Sequence, residues 1–193
     1  NPTNATWEGL CHGWAPASLF FDEPKFITLK NPDGKNIFFG TSDIKALLIY
    51  YTAFSNQVEE NIKMLFAGNR CNDNATSNCM NTNAGAFHLL ITNMIEQKIP
   101  MIIDVDRGIQ VWNQPIYGYQ ITSMYDSNQI SRYAAPGTVK EKIVKMKMYY
   151  SQEAQQSIRP VAPIIVSVEY QYTLELNNNN QIIGGEWLSS NRP

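Results

Sequence analysis

The chain has 193 residues, 44% hydrophobic and 17% charged, with 15 Lys and Arg against 17 Asp and Glu for a formal net charge of -2. That length predicts a single domain over 1–193, and the charge balance lacks the basic surface a general nucleic-acid binder needs. Apolar runs such as 44–51 fall far short of the about 20 residues that cross a bilayer, so neither nucleic acid nor membrane is an expected partner. The start at Asn1 carries no Met, basic n-region or apolar h-region, and reads as a cleaved terminus whose upstream segment or companion chain is missing.

Amides and hydroxyls replace charge at most polar positions. Two sequons, Asn4-Ala5-Thr6 and Asn74-Ala75-Thr76, would suit a secreted glycoprotein, although so Asn-rich a chain also produces such triplets by chance. In chain order, Gly9 and Gly13 bracket Cys11, and Pro16 suits a first helical turn, which predicts a short helix over about Trp14–Phe21 with Cys11 just before it. Lys25–Lys30 and Lys35–Phe39 predict a hairpin around Asn31-Pro32-Asp33-Gly34. With Thr41 or Ser42 as cap, Ile44, Leu47, Leu48 and Tyr51 recur at helical spacing. A second helix is expected over Val58–Phe66, followed by an Asn-rich loop over Asn69–Asn83.

The second half reads as strand. Ala86–Ile95 and Pro100–Asp106 predict an antiparallel hairpin turning at 96–99. Val144, Met146, Met148 and Tyr150 alternate with polar residues. So do Val166, Val168, Tyr170, Tyr172, Leu174 and Leu176, before a return over Gln181–Trp187. Helices early and antiparallel strands late predict an α+β fold with no repeat and no linker.

Cys11 is the candidate nucleophile. Thiolate chemistry is favoured at a helix N-terminus, where partial positive charge and backbone N–H groups collect, and the Cys11 N–H could serve a developing oxyanion. A lone Cys is more often a small buried hydrophobe, so the helix start is what shifts the balance. Two His are present. His12 adjoins Cys11 and would diverge from it, as a rim residue. His88, expected at the start of a strand, is the candidate base, against the plainer reading of a core histidine. A basic imidazole needs an acceptor for its other N–H. Asp104 and Asp106 share a strand face opposite His88 in the predicted hairpin and either could serve, Asp104 being preferred, unless Arg107 neutralises one of them.

Val111-Trp112-Asn113-Gln114-Pro115, with Gly118, resembles the peptide elicitor embedded in the secreted transglutaminases of plant-pathogenic oomycetes and related bacteria. It departs at Tyr117, where a basic residue is expected, and at Gln120. Gly9-Leu10-Cys11-His12-Gly13-Trp14-Ala15 resembles the same family's active-site segment. The order Cys, His, Asp is that of the papain-like and transglutaminase-like superfamily, in which a Cys-bearing N-terminal helix packs on an antiparallel sheet.

The resemblance implies a secreted elicitor protein that joins Gln to Lys of protein substrates. In that reaction the Cys11 sulfur attacks a Gln γ-carboxamide, ammonia leaves, and an amine activated by His88 resolves the thioester. Trp7, Trp14, Trp112 and Asn113 are candidate substrate-binding residues beside it, plain core packing being the competing role for the tryptophans. Calcium enters by analogy alone: Asn72-Asp73-Asn74 and Asp104-Val105-Asp106 offer oxygen atoms, but no twelve-residue loop spacing is present. Cys71 and Cys79 are close enough for a local disulfide in an extracellular protein, which leaves Cys11 as the odd thiol. No zinc spacing is present. A papain-like thiol hydrolase or deamidase using the same residues, and a non-enzymatic recognition or toxin-like module, remain alternatives.

Overall fold

A computed structural model describes residues 9–54, 65–66, 82–105, 112–152 and 156–193. The chain divides into two compact units, Asn1–Lys63 with Gln152–Ile164, and Met64–Ser151 with Ile165–Pro193.

The first unit holds helix α1 (Cys11–Phe20), strands β1 (Ile27–Lys30) and β2 (Asn36–Phe39), and helix α2 (Thr41–Phe54). The predicted hairpin forms: Ile27 pairs with Phe39 and Lys30 with Asn36, antiparallel. Its turn needs the left-handed backbone that glycine adopts without strain, and Gly34 has φ +77. Asn31 closes it, Oδ1 accepting from the Lys35 N–H at 2.8 Å. Helix α2 starts at Thr41, one residue after Gly40, whose N–H donates to Asp43 Oδ2 at 2.9 Å. Asp43 reaches back to the residue before the helix as the acidic half of a capping box does. Seated on this start, the 156–164 segment places Ser157 O to accept from both Ser42 N–H and Oγ.

The apolar stripe that marks α2 as a helix is only partly covered, with Ile44 and Leu48 half-buried. Leu47 and Tyr51 are exposed, while Thr41 and Thr52 are buried. The reason is the packing of α1. A Cβ at Gly13 would overlap the Ile49 carbonyl and Ala53, so the glycine lets the two helix backbones approach, and Thr52 Oγ1 donates to the Gly13 carbonyl at 2.6 Å. A polar residue satisfies this contact where a larger apolar one would separate the helices.

The second unit is a six-stranded sheet in the order β3-β4-β5-β6-β7-β8, made of Leu65–Phe66, Ile102–Asp104, Asn113–Asp126, Lys140–Gln152, Ile164–Leu176 and Ile182–Gly184, with helix α3 (Ala84–Glu96). The β3–β4 pair is parallel, while β4–β5, β5–β6 and β7–β8 are antiparallel. The two alternating runs form long strands as expected, and Val144, Met146, Met148, Tyr170, Tyr172, Leu174 and Leu176 are buried. Mixed helix and antiparallel sheet make the fold α+β.

Two sequence expectations fail in this unit. Ala86–Ile95 is not a strand of a hairpin but part of α3, because Asn83 caps a helix there: its Oδ1 accepts from the Gly85 and Ala86 N–H groups. Ala84, Phe87, His88 and Ile91 then make the buried face at i, i+3, i+4 and i+7. Leu65–Phe66, expected at the end of a helix, is a strand paired with Ile102–Ile103, while Val58–Lys63 and most of the Asn-rich loop lie outside the described residues.

Candidate active site

Cys11 is the first residue of α1, three residues earlier than the expected helix start. Leu10 precedes it as cap without a side-chain acceptor, and the N–H groups of Gly13 and Trp14 both return to the Leu10 carbonyl, at 2.9 and 2.7 Å. A helix start with no capping side chain directs its dipole at whatever sits on the first turn. Cys11 sits there as a half-buried thiol. Pro16, in the body of the helix and not its first turn, is buried with Ala15 and Ala17. His12, read as a loop or rim residue, is exposed but lies within α1, and Trp14 is half-buried.

His88 lies in the middle of α3, so the expected strand-start position is corrected to a helical one. The helix is fixed from its N-terminus. A Cβ at Gly85 would overlap the Gly184 carbonyl, and one at Gly185 would overlap the Thr173 carbonyl. Asn83 Nδ2 donates to Gly185 O at 3.2 Å, and Trp187 Nε1 to Thr82 O at 2.6 Å. Beneath the helix, Phe87 meets Tyr170, Tyr172 and Trp187 at centroid distances of 5.3, 6.1 and 5.1 Å, an edge-to-face cluster that sets the helix's rotation.

That rotation buries the His88 ring, with Nδ1 2.7 Å from the Tyr172 hydroxyl oxygen. The Tyr172 hydroxyl also donates toward Met146 Sδ at 3.9 Å. Burial lowers the His88 pKa below its ordinary value and raises that of Tyr172, which the neighbouring Tyr119 raises further. Near neutral pH the imidazole is therefore uncharged and the phenol keeps its proton. Sequence reasoning placed a carboxylate on the ring N–H. At Nδ1 the partner is the Tyr172 hydroxyl, because the hairpin register that put Asp104 and Asp106 opposite His88 does not exist.

Asp104 ends β4, buried, and pairs in register with Asn113. Its Oδ1 accepts the Trp112 N–H at 2.9 Å, so the carboxylate shapes the start of the Trp-Asn-Gln-Pro segment. Tyr170 holds the neighbouring Val105 carbonyl at 2.8 Å. Pro115 is fully buried and pairs with Ile102, whereas Trp112 is 40% and Tyr117 64% exposed. Asn113 Oδ1 and Gln114 Oε1 are enclosed without a hydrogen-bond partner. The segment is thus anchored in the core at Pro115 and Ile116, with Trp112 and Tyr117 open to solvent at its ends.

Trp7, Asp106, Arg107, Val111, Cys71, Cys79, both sequons and Asn72–Asn74 lie outside the described residues. Among the described residues no three His, Cys, Asp or Glu side chains are grouped to hold a metal ion, and Asp104 spends Oδ1 on a backbone N–H. Tyr172, Met146 and Trp187 are the site residues that sequence reasoning passed over. Tyr172 carries the one available signal, a hydroxyl on the inward face of an apolar strand, which needs a buried partner.

The transglutaminase elicitor family model matches residues 3–193. The chain belongs to the transglutaminase elicitor family. Its fold is similar to the crystal structure of the GP42 transglutaminase from Phytophthora sojae, with a TM-score of 0.71 and 22% identity over 97% of this chain and 54% of that one. This elicitor-family chain therefore spans about half the length of that structure. A search of curated proteins gives no match. No helix among the described residues is long and apolar enough to cross a membrane, which leaves β-barrels aside.

Proposed function

We propose that this chain catalyses acyl transfer from protein glutamine to a lysine amine, with Cys11 as nucleophile and His88 as base. The observation that carries the reading is Cys11 on the uncapped first turn of a helix in a chain of the transglutaminase elicitor family. The Cys11 sulfur forms a bond to the Gln carboxamide carbon as His88 Nε2 takes the thiol proton. Collapse breaks the carbon–nitrogen bond, and the same proton returns to the departing ammonia. The lysine amine then attacks the thioester and gives its proton to His88, which hands it to the leaving Cys11 sulfur. Backbone N–H groups at the start of α1 face the developing oxyanion.

Substrates are proteins with exposed Gln and Lys, in an extracellular setting that suits the Cys71–Cys79 pair and the two sequons. Trp14 on the thiol-bearing helix and Trp112 are each candidates for substrate contact. A Gln donor incubated with a fluorescent primary amine tests the reaction. Amine incorporation that disappears in Cys11→Ser supports the transferase, whereas ammonia release without incorporation makes the protein a hydrolase.

A second reading rests on the 40% exposure of Trp112 beside a buried Pro115: the segment is a recognition surface read by a receptor. In that case Trp112→Ala abolishes the response of a target cell while Cys11→Ser leaves it intact.

A further inference from the structure

An imidazole that takes a proton at Nε2 must carry its own proton on Nδ1 beforehand. A carboxylate beside Nδ1 enforces this, since it can only accept. The group at Nδ1 here is a neutral hydroxyl, which can accept from Nδ1–H or donate to a bare Nδ1, and the 2.7 Å separation fits both. The difference lies in where the hydroxyl proton goes. If it points at the ring, the imidazole is left as the Nε2–H form, unable to take a thiol proton. If it points away, it needs another acceptor, and Met146 Sδ provides one at 3.9 Å.

We infer that Tyr172 is the positioning residue of His88, accepting from Nδ1–H while resting its own proton on Met146 Sδ, and so holding Nε2 open as the proton acceptor. This rests on reading His88 as the base. All three side chains come from one unit: His88 from α3, Tyr172 from β7 and Met146 from β6. Met146 and Tyr172 are fully buried, so water does not compete for the hydroxyl. Tyr119 on β5 is a titratable group that bears on the Tyr172 hydroxyl, and burial acts on the His88 ring. A neutral partner has a further consequence. It offers an imidazolium no opposite charge, so the His88 ring rests uncharged near neutral pH.

Nitrogen-15 histidine NMR on the whole chain reads the tautomer directly, because only His12 and His88 contribute signals, and His12→Gln assigns them. Well above neutral pH, His88 is expected to show a pyrrole-type Nδ1 and a pyridine-type Nε2. Tyr172→Phe should erase that preference and lower kcat by about 10-fold or more at little change in KM, and Met146→Leu should move the tautomer balance toward Nε2–H. A wild-type His88 found as Nε2–H overturns the proposal without any variant having to fold. A tautomer indifferent to both substitutions overturns it as well. The base reading is judged separately: if His88→Gln retains amine incorporation while the tautomer behaves as expected, the reading of His88 as base falls and the Tyr172 assignment stands.

Discussion

The two units bury their apolar residues to very different extents. In the second, Phe87, Ile91, Met101, Ile103, Val144, Met146, Met148, Tyr170 and Tyr172 are sealed into one cluster. Among the described residues of the first, Phe26, Ile27, Leu29, Ile37, Phe38, Leu47, Tyr50, Tyr51 and Phe54 are exposed, and the contacts include a glycine-permitted helix approach and several side-chain to backbone hydrogen bonds. The imidazole is thus carried by a close-packed core, where a rotamer and a tautomer can be specified. The thiol is carried at the start of a helix held against its neighbour by small residues, Gly13, Ala15 and Ala17, rather than by a large apolar cluster.

The largest effect expected from this contrast is Phe87→Ala, which removes the ring at the centre of the aromatic cluster and should cost about 3–5 kcal/mol in chemical unfolding followed by tryptophan fluorescence. A cost comparable to that of a surface change would deny the second unit its packed core. Gly13→Ala comes next, because its methyl meets the backbone of Ile49, which cannot move aside. We expect about 1–3 kcal/mol, read as faster hydrogen exchange along α1, with α3 amides unaffected.

Glu175 sharpens the comparison through pH. Its buried carboxyl is pushed above the ordinary value of 4.5, first by burial and further by Glu186 and Glu141, against the Ala135 N–H that favours the charged form. A raised native pKa means that stability is fully present below pH 4.5 and is lost as pH rises through the native value. Glu175→Gln keeps an oxygen acceptor for Ala135, so it should raise Tm at neutral pH and leave it unchanged in acid. His88 has the opposite sign: with its native pKa lowered, stability falls as pH drops from 6.5 toward that lower value. The smallest effect is expected of Leu47→Gln on the exposed face of α2, within about 0.5 kcal/mol; a loss of several times that would mean the face is covered in solution.

What the sequence shows and hides follows the same division. The β6 and β7 strands are legible because every second residue is apolar and one sheet face is buried. The α3 helix is not, since its run is apolar at both period 2 and period 3.6, and the deciding cap, Asn83, looks like the end of an Asn-rich loop. That one misreading moves His88 from strand to helix and removes Asp104 from its Nδ1. The place of Cys11 at a helix start is legible because short-range signals suffice: two flanking glycines and a helix beginning beside it. Tyr172 needed the tertiary structure, because its partner lies 84 positions away in the chain. In α2 the period gave the element but not its buried face, which the approach of Gly13 decides.

The central claim is a covalent acyl intermediate on the thiol of α1. Protein exposed briefly to a Gln-containing peptide, quenched in acid and weighed intact, should gain the peptide mass less one ammonia, on Cys11 and not in Cys11→Ser. Amine incorporation by a protein that never carries this adduct, or an adduct that persists in Cys11→Ser, would contradict the account.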